Sequence, residues 1–424
     1  MKKNLPGKRR PVTAHVAKAP AKPLVSFVDL LMPMISLPGK AGGRGESMSS
    51  PLARLDYGEE LRIKNQALAE FWQKNNLPGQ PTPVIGSPKA RGYRTTSQRR
   101  AVFQDGILHL VFGDTTTVDR RHPLQHSALE PVEHGAIYAF LQKKLSEPPF
   151  RLVAAHLNYL IIRGSYQERV VIFNVDQMSG PLIRKLKIVA DHLQRIDDPI
   201  MAAHVYFDPS RSKYYLESRR PVAAMGFKTL FGPVELTVTV ADCRFKFHPT
   251  SFSQVNEAMV PVLLKQARQL LAPSGGSLLD LYCGYGLFSH FLAPDYTEVV
   301  AVDSEGPSIK AARENIRLNA GRGGSIKFSP LRITGDSLDK MFATTPFPDT
   351  VLLDPPRQGP QDKVITSICG HRPKRVLHVF CGVDQITTSL KKWRSHGYWI
   401  KKIVPLDLFP GSTNLEVMIL LGPR

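Results

Sequence analysis

Cysteine is scarce in this chain: four thiols among 424 residues, at Cys243, Cys283, Cys369 and Cys381. None stands in a C-x-x-C pair, so no zinc or iron–sulfur centre is expected. So few thiols fit a reducing compartment, and a cytoplasmic location is the expectation. No run of eighteen or more apolar residues occurs, so no transmembrane helix is expected. A signal-peptide apolar region is missing as well; the start is basic and poor in acids, a composition shared with organelle transit peptides. Acidic residues are in deficit, 36 against 56 Lys and Arg, for a formal net charge of +20. That surplus points to a polyanionic partner, RNA or DNA, with a basic enzyme lacking such a partner as the plain alternative.

What the chain has is an ordinary apolar fraction, 42%, and length for two or three domains. Residues 1–50 are rich in Pro, Gly, Ser and Lys; the first forty hold eight basic side chains and one acid, Asp29. This reads as a basic, flexible N-terminal extension that touches phosphates or only solubilises. Within it, the apolar patch Val25–Leu37 reads as a strand pair or a docking segment. Leu55–Asn76 has helical periodicity, with Leu61, Ile63, Leu68, Phe71 and Trp72 able to share one face. From 92 to 245 short β-like runs alternate with helical segments at Gly135–Leu145 and Pro181–Gln194. The runs include RLVAAHLNYLIIRG, RVVIFNV, KYYLES and VELTVTVADCRF. An α+β domain over 51–250 is expected, followed by a further domain over 251–424.

That last domain centres on Ser277–Leu292, SLLDLYCGYGLFSHFL. An apolar strand leads into a turn drawn from Asp280, Cys283, Gly284, Tyr285 and Gly286, and then into a helix. Glycines permit the sharp turn and the close approach of a ligand; a strand–helix turn with no ligand is the alternative. A second strand, Glu298–Asp303, ends in an acid about twenty residues on, where a doubly wound sheet sets a carboxylate against ribose hydroxyls. Ser289 stands where the third glycine of a dinucleotide fingerprint belongs. A nucleoside cofactor without phosphates, such as S-adenosylmethionine, therefore fits better than NAD. Strands are expected at 277–282, 298–302, 326–333, 350–353 and 375–380, in a parallel sheet with crossover helices. Tyr398–Val404 and Leu415–Leu421 are expected as an antiparallel hairpin at its edge.

Three further positions carry chemistry. DPPR at Asp354–Arg357 ends a buried strand, and its prolines hold Asp354 at the ligand crevice. Asp354 can accept from a base N–H, and Arg357 can meet a carbonyl or a phosphate. Cys381 ends the next strand, on the same rim as Asp354; a buried inert thiol is the plain reading of it. Glu416 sits inside the apolar run LEVMILL, either on an open face or desolvated with a raised pKa that suits proton abstraction.

Together these strings resemble the S-adenosylmethionine-dependent RNA 5-methyluridine methyltransferases, which modify transfer RNA or large-subunit ribosomal RNA. The resemblance spans roughly Leu55 to Arg424. It rests on FSQVN (Phe252–Asn256), LDLYCGYGLF (Leu279–Phe288), DPPRQG, the strand ending in Cys381, and DLFPGSTNLE (Asp407–Glu416), in the family's order and spacing. LDYGEELRIKNQAL (Leu55–Leu68) and GYRTTSQRRAVF (Gly92–Phe103) match more weakly. The resemblance implies a Rossmann-like class I methyltransferase sheet. It implies Gln254, Tyr282, Gly284, Asp303 and Asp354 about the cofactor and base, Cys381 as nucleophile and Glu416 as general base. It also implies an RNA partner bound by a monomer.

The chain departs from the family pattern in three places. Gly382-Val383 follow the cysteine instead of Asn-Pro, with Thr388-Ser389 in place of a later Arg-Asp. Ser412, Thr413 and Asn414 precede Glu416 where histidines are favoured. Ser47–Arg54 has no cysteine where an iron–sulfur cluster of many members would end, and residues 1–50 do not read as the usual N-terminal β-barrel. Two other readings stay open on the residues alone: a catalytically weak RNA-binding relative that holds the cofactor, and an RNA methyltransferase acting on another atom.

Overall fold

The computed structural model describes residues 24–35, 50–113, 127–196, 200–211, 226–272, 275–304 and 306–424. Most of the basic extension, and the KYYLES segment, lie outside the described residues. The apolar patch near the N-terminus is not a strand pair. It forms a short helix, α1 (Phe27–Leu31), and a 3-10 turn over Met32–Met34. Phe27, Leu30 and Leu31 are buried, and the Phe27 ring meets Phe71 edge-on at 6.5 Å. Docking decided the conformation: one helical turn buries three apolar side chains on a ready-made surface. That surface is α2 (Tyr57–Lys74), whose first turn is capped by Asp56 accepting from the N–H groups of Gly58 and Glu59.

The chain then builds a six-stranded sheet. The hairpin β1 (Ser97–Gln104) and β2 (Ile107–Val111) is followed by α3 (Val132–Ser146), α4 (Arg151–His156) and β3 (Leu157–Gly164). The first half of the RLVAAHLNYLIIRG run is thus helical: it carries no turn residue to mark where the period changes. Next come β4 (Arg169–Val175), α5 (Gly180–Leu193), β5 (Ile200–Phe207) and β6 (Phe227–Phe231), in sheet order β2-β1-β3-β4-β5-β6. Among the described residues of this sheet, the one parallel pair, β4 and β5, is joined across a helix. Leu141, Leu145, Leu186 and Val189 of the helices pack against Leu160, Val171 and Val205 of the strands.

A hairpin, β7 (Leu236–Val240) and β8 (Cys243–Phe247), and α6 (Val260–Leu271) lead into the second sheet. Its elements are β9 (Ser277–Leu281), α7 (Leu287–Leu292), β10 (Glu298–Asp303), α8 (Pro307–Leu318), β11 (Ser325–Pro330), α9 (Gly335–Met341), β12 (Thr350–Leu353), α10 (Val364–Gly370), β13 (Arg375–Phe380), α11 (Gln385–Ser395), β14 (Tyr398–Leu406) and β15 (Glu416–Pro423). The order is β11-β10-β9-β12-β13-β15-β14, parallel as far as β13, with β15 antiparallel to both its neighbours. This is the expected class I methyltransferase sheet with its edge hairpin. The strand order reverses at β9, so the crevice beyond the carboxyl ends of β9 and β12 is where a ligand is received.

Both faces of this sheet are covered, partly by chain from before residue 250. The core of one face joins Ile63, Leu68, Phe71 and Trp72 of α2 to Leu279, Leu281, Val351 and Phe380. On the other face, Phe245 and Phe247 of β8 pack with Tyr285. The β8 backbone is bonded to Asn315 and Asn319 at the end of α8. Among the described residues, no helix is long and apolar enough to cross a membrane.

Candidate active site at the rim of the second sheet

The turn after β9 is set by backbone conformations that favour glycine. Gly284 (φ 57°) and Gly286 (φ 89°) are both left-handed, but their surroundings differ. A Cβ on Gly286 would meet His290 and Phe328 at 2.9 Å, whereas one on Gly284 would meet nothing within 4 Å. Gly286 is therefore needed for packing, and Gly284 borders open space where a ligand can approach. The Gly284 N–H donates to Asp303 Oδ2 at 2.7 Å, and Asp303 Oδ1 accepts from the Ser304 N–H at 2.6 Å. Burial raises the Asp303 pKa against these two donors. Tyr282 is itself left-handed (φ 65°); its hydroxyl is buried without a hydrogen bond of good geometry, and burial pushes it up to about 12.

Asp280 is not part of that turn. It lies within β9, 1% exposed, and takes a 2.5 Å hydrogen bond from Ser289 Oγ on α7. The serine in place of a third glycine is thus a donor to a buried acid. Burial pushes Asp280 up to about 7 against that hydrogen bond, with the charges of Asp354 and Asp303 adding to the rise. Its other oxygen, Oδ1, is buried with no partner. An orphaned acceptor beneath a glycine turn with open space fits the amino or hydroxyl donors of a nucleoside cofactor, so the residues present suit S-adenosylmethionine. The signal for Asp280 was in the sequence: an acid inside the apolar run SLLDL, the same pattern as at Glu416.

The remaining site residues converge because of topology. β12 and β13 end on one rim, and β15, running the opposite way, begins there. Val417 pairs with Phe380, so the next step along the two strands sets Glu416 beside Cys381. The Cys381 sulfur lies 3.4 Å from Asp354 Oδ1 and from the Pro355 carbonyl, two acceptors within reach of its proton. Burial pushes the thiol far above its ordinary range, and the Asp354 and Glu416 carboxylates push it the same way. Glu416 is 3% exposed and raised well above a normal glutamate, first by burial and then by Asp354. Asp354 is pushed up to about 6 by burial, opposed by its hydrogen bond from Cys381. Arg357 is exposed, and its cationic charge opposes the rise at both Cys381 and Glu416.

Gln254 stands apart in hydrogen bonding: among the described residues no such bond joins it to the other expected site residues. Its loop is nonetheless fixed. Arg163 on β3 donates to the Ser251 carbonyl and Ser253 Oγ, both at 2.6 Å; Asn256 donates to the Leu408 carbonyl at 3.0 Å. At the departures from the family pattern, Val383 is core, and Ser412 Oγ donates to the Phe409 carbonyl at 2.9 Å. Among the described residues, no three His, Cys, Asp or Glu side chains are grouped to hold a metal ion.

The chain is similar to known proteins in sequence and fold. The family model for tRNA (uracil-5-)-methyltransferase matches residues 224–424. An uncharacterized RNA methyltransferase of Halalkalibacterium halodurans is 31% identical over 385 residues, covering 87% of this chain and 80% of that protein. The 23S rRNA (uracil(1939)-C(5))-methyltransferase RlmD of a Marinomonas species is 34% identical over 189 residues, 44% of this chain and 41% of that protein. The crystal structure of Pyrococcus abyssi tRNA (uracil-54, C5)-methyltransferase in complex with S-adenosyl-L-homocysteine has a TM-score of 0.63 and 21% identity. It covers 88% of this chain and 86% of that one, a likeness of fold.

Proposed function

This chain belongs to the S-adenosylmethionine-dependent RNA uracil-5-methyltransferases, and on that premise we propose that it methylates C5 of a uridine in ribosomal or transfer RNA through a covalent bond between Cys381 and C6 of the base. One observation carries this reading: a thiol, a carboxylate within reach of its proton and a desolvated glutamate meet at the ligand-receiving rim.

C5 of uracil is a weak nucleophile. Cys381 gives its proton to Asp354 and its sulfur adds to C6, which moves an electron pair toward C5 and O4. S-adenosylmethionine, when bound, would supply an electrophilic methyl group for that carbon. Glu416 then takes the C5 proton, the C5–C6 double bond re-forms, and the bond from C6 to sulfur breaks with its electrons returning to Cys381. The raised pKa of Glu416 makes it a better proton acceptor than a solvated glutamate. Gly284, Asp303, Tyr282 and Gln254 hold the cofactor and the base, and Arg357, exposed at the mouth, meets a phosphate or carbonyl of the RNA. A uridine within folded RNA has to leave its stack to reach a rim this enclosed. The net charge of +20 favours the polyanion, and the few thiols suit work in a reducing cytoplasm.

The test is incubation with labelled S-adenosylmethionine and separate transfer and ribosomal RNA pools from a strain lacking the gene, read by nucleoside mass spectrometry. New 5-methyluridine in one pool gives both the reaction and the substrate. The same assay with Cys381→Ala checks the covalent route: a variant that still methylates would assign the methyl to another atom or another path.

A further inference from the structure

We propose that Glu60, Lys64 and Asp407 are positioning residues for Glu416, a buried ion cluster that fixes the connection from which the base projects; this rests on the reading of Glu416 as the base.

Residues 407–415 join β14 to β15 without regular structure, a length at which a free connection samples many conformations. This one is held at four successive carbonyls by groups distant in sequence. The Leu408 carbonyl accepts from Asn256 at 3.0 Å, Phe409 from Lys64 Nζ at 3.4 Å, Pro410 from the Tyr93 hydroxyl at 3.0 Å, and Gly411 from the Leu52 N–H at 3.0 Å. Glu60 Oε1 also accepts from the Gly411 N–H at 2.5 Å. Gly411 is left-handed (φ 81°), and a Cβ there would meet Leu129 at 2.5 Å, so the connection has one fit.

The centre of the clamp is ionic. Lys64 Nζ lies 2.8 Å from both Glu60 Oε1 and Asp407 Oδ1, and all three side chains are 0% exposed. Arg91 meets the other Glu60 oxygen at 3.0 Å, and the Tyr57 hydroxyl donates to Asp407 Oδ2 at 3.2 Å. Asp407 directly follows Leu406, and Leu406 is the cross-strand partner of Glu416. A displacement of Asp407 is therefore passed to Glu416 across one pair of the ladder. The cluster touches neither the thiol nor the crevice, so it acts through position. Proton abstraction is steep in distance, because the acceptor has to reach hydrogen-bond range of the proton it removes.

The reaction offers a readout that a purely structural role would not move. Fluorine at C5 cannot be abstracted, so 5-fluorouridine RNA reports adduct formation alone; ordinary RNA reports formation and release. The comparison uses the full chain with Asp407→Asn, Tyr57→Phe and Glu416→Gln. Asp407→Asn is expected to leave the 5-fluorouridine adduct rate within about threefold and to slow release of 5-methyluridine by about tenfold or more. A denaturant-stable protein–RNA adduct should then accumulate from ordinary RNA. Tyr57→Phe, which removes the hydroxyl's bond to Asp407 and the one it accepts from the Ser87 N–H at 2.6 Å, should show the same split at about threefold. Equal slowing of formation and release, or no change in either, would overturn the proposal provided Glu416→Gln still accumulates adduct. If Glu416→Gln accumulates none, it is the reading of Glu416 as base that fails.

Discussion

Two groups of buried ionisable side chains lie against the second sheet, and they differ in charge balance. At the rim, Asp280, Asp303, Asp354, Cys381 and Glu416 are all acidic groups, and the cation acting on Cys381 and Glu416 is the exposed Arg357. Every one of these five groups is shifted upward. Below the β14–β15 connection, Glu60 and Asp407 face Lys64 and Arg91, two charges of each sign. Desolvation acts on both groups. Burial raises Asp407 too, but Lys64 and hydrogen bonds oppose the rise and tie it into an interior clamp; at the rim, among the described residues, no buried cation does so, and Asp280 and Asp354 keep their protons up toward neutral pH, where they can exchange in a reaction. The unbalanced set is the one at the crevice, where a cationic cofactor would supply the missing charge.

The largest effects should come from breaking the unbalanced set. Cys381→Ala is expected to abolish both adduct and product, a loss on the order of 10⁴-fold or more. Glu416→Gln should lower product by about 10²–10⁴-fold while adduct still forms. Gel electrophoresis of protein–RNA adducts and nucleoside mass spectrometry separate the two outcomes.

Next in size is a contrast of sign. Lys64→Met removes the cation shared by two buried carboxylates, leaving Asp407 with no buried cation, and should cost about 3–5 kcal/mol, read as a lower urea midpoint. Asp354→Asn removes an uncompensated charge, so at pH 8 it should raise that midpoint while activity is lost. If both substitutions destabilise alike, the contrast between the clusters is wrong.

A pH series sharpens the point. The folded pKa of Asp280, about 7, and of Asp354, about 6, lie above the ordinary aspartate value of 3.8. The folded state therefore holds protons that the unfolded chain releases, and stability falls as pH rises from about 4 through 6–7. Asp280→Asn should remove up to roughly 3 kcal/mol of this slope, measured as urea midpoints at pH 5 and pH 8.

The smallest effect is expected at Asp384, in the loop after Cys381. It accepts from the Phe27 N–H at 2.7 Å and from Ser26 Oγ at 3.1 Å, fastening α1 to this loop from an exposed position. Asp384→Ala should cost about 1 kcal/mol or less and change turnover by no more than about threefold.

Much of the rim was legible because its residues stand at strand ends, and strand ends are marked by local pattern. VLLDPPR, RVLHVFCG and LEVMILL each announce an apolar strand and the reactive group beside it, and the parallel rhythm places the first two together. Asp280 was visible in the same way but was assigned to the turn, because the glycines four and six residues on drew the boundary too early. The clamp was not legible. Glu60 and Lys64 stand four apart on α2, a spacing that serves an exposed ion pair equally well; both are buried because a segment some 350 residues away closes over them. Val25–Leu37 was left between a strand pair and a docking segment for a related reason: its apolar residues fit either period, and packing on Phe71 decided for a docked helical turn.

The sequence by itself determined the chemistry available to this protein. A thiol, two carboxylates and a glycine turn each sit where a strand ends, and backbone periodicity and steric freedom, both local properties, put them there. Only the tertiary structure decided what those groups became. Solvent exclusion and the sum of neighbouring charges depend on every element packed around a site. The same carboxylate chemistry is a mobile-proton acid at Asp354 and a fixed anchor at Asp407, and what separates the two is a lysine delivered by a helix from the other end of the chain.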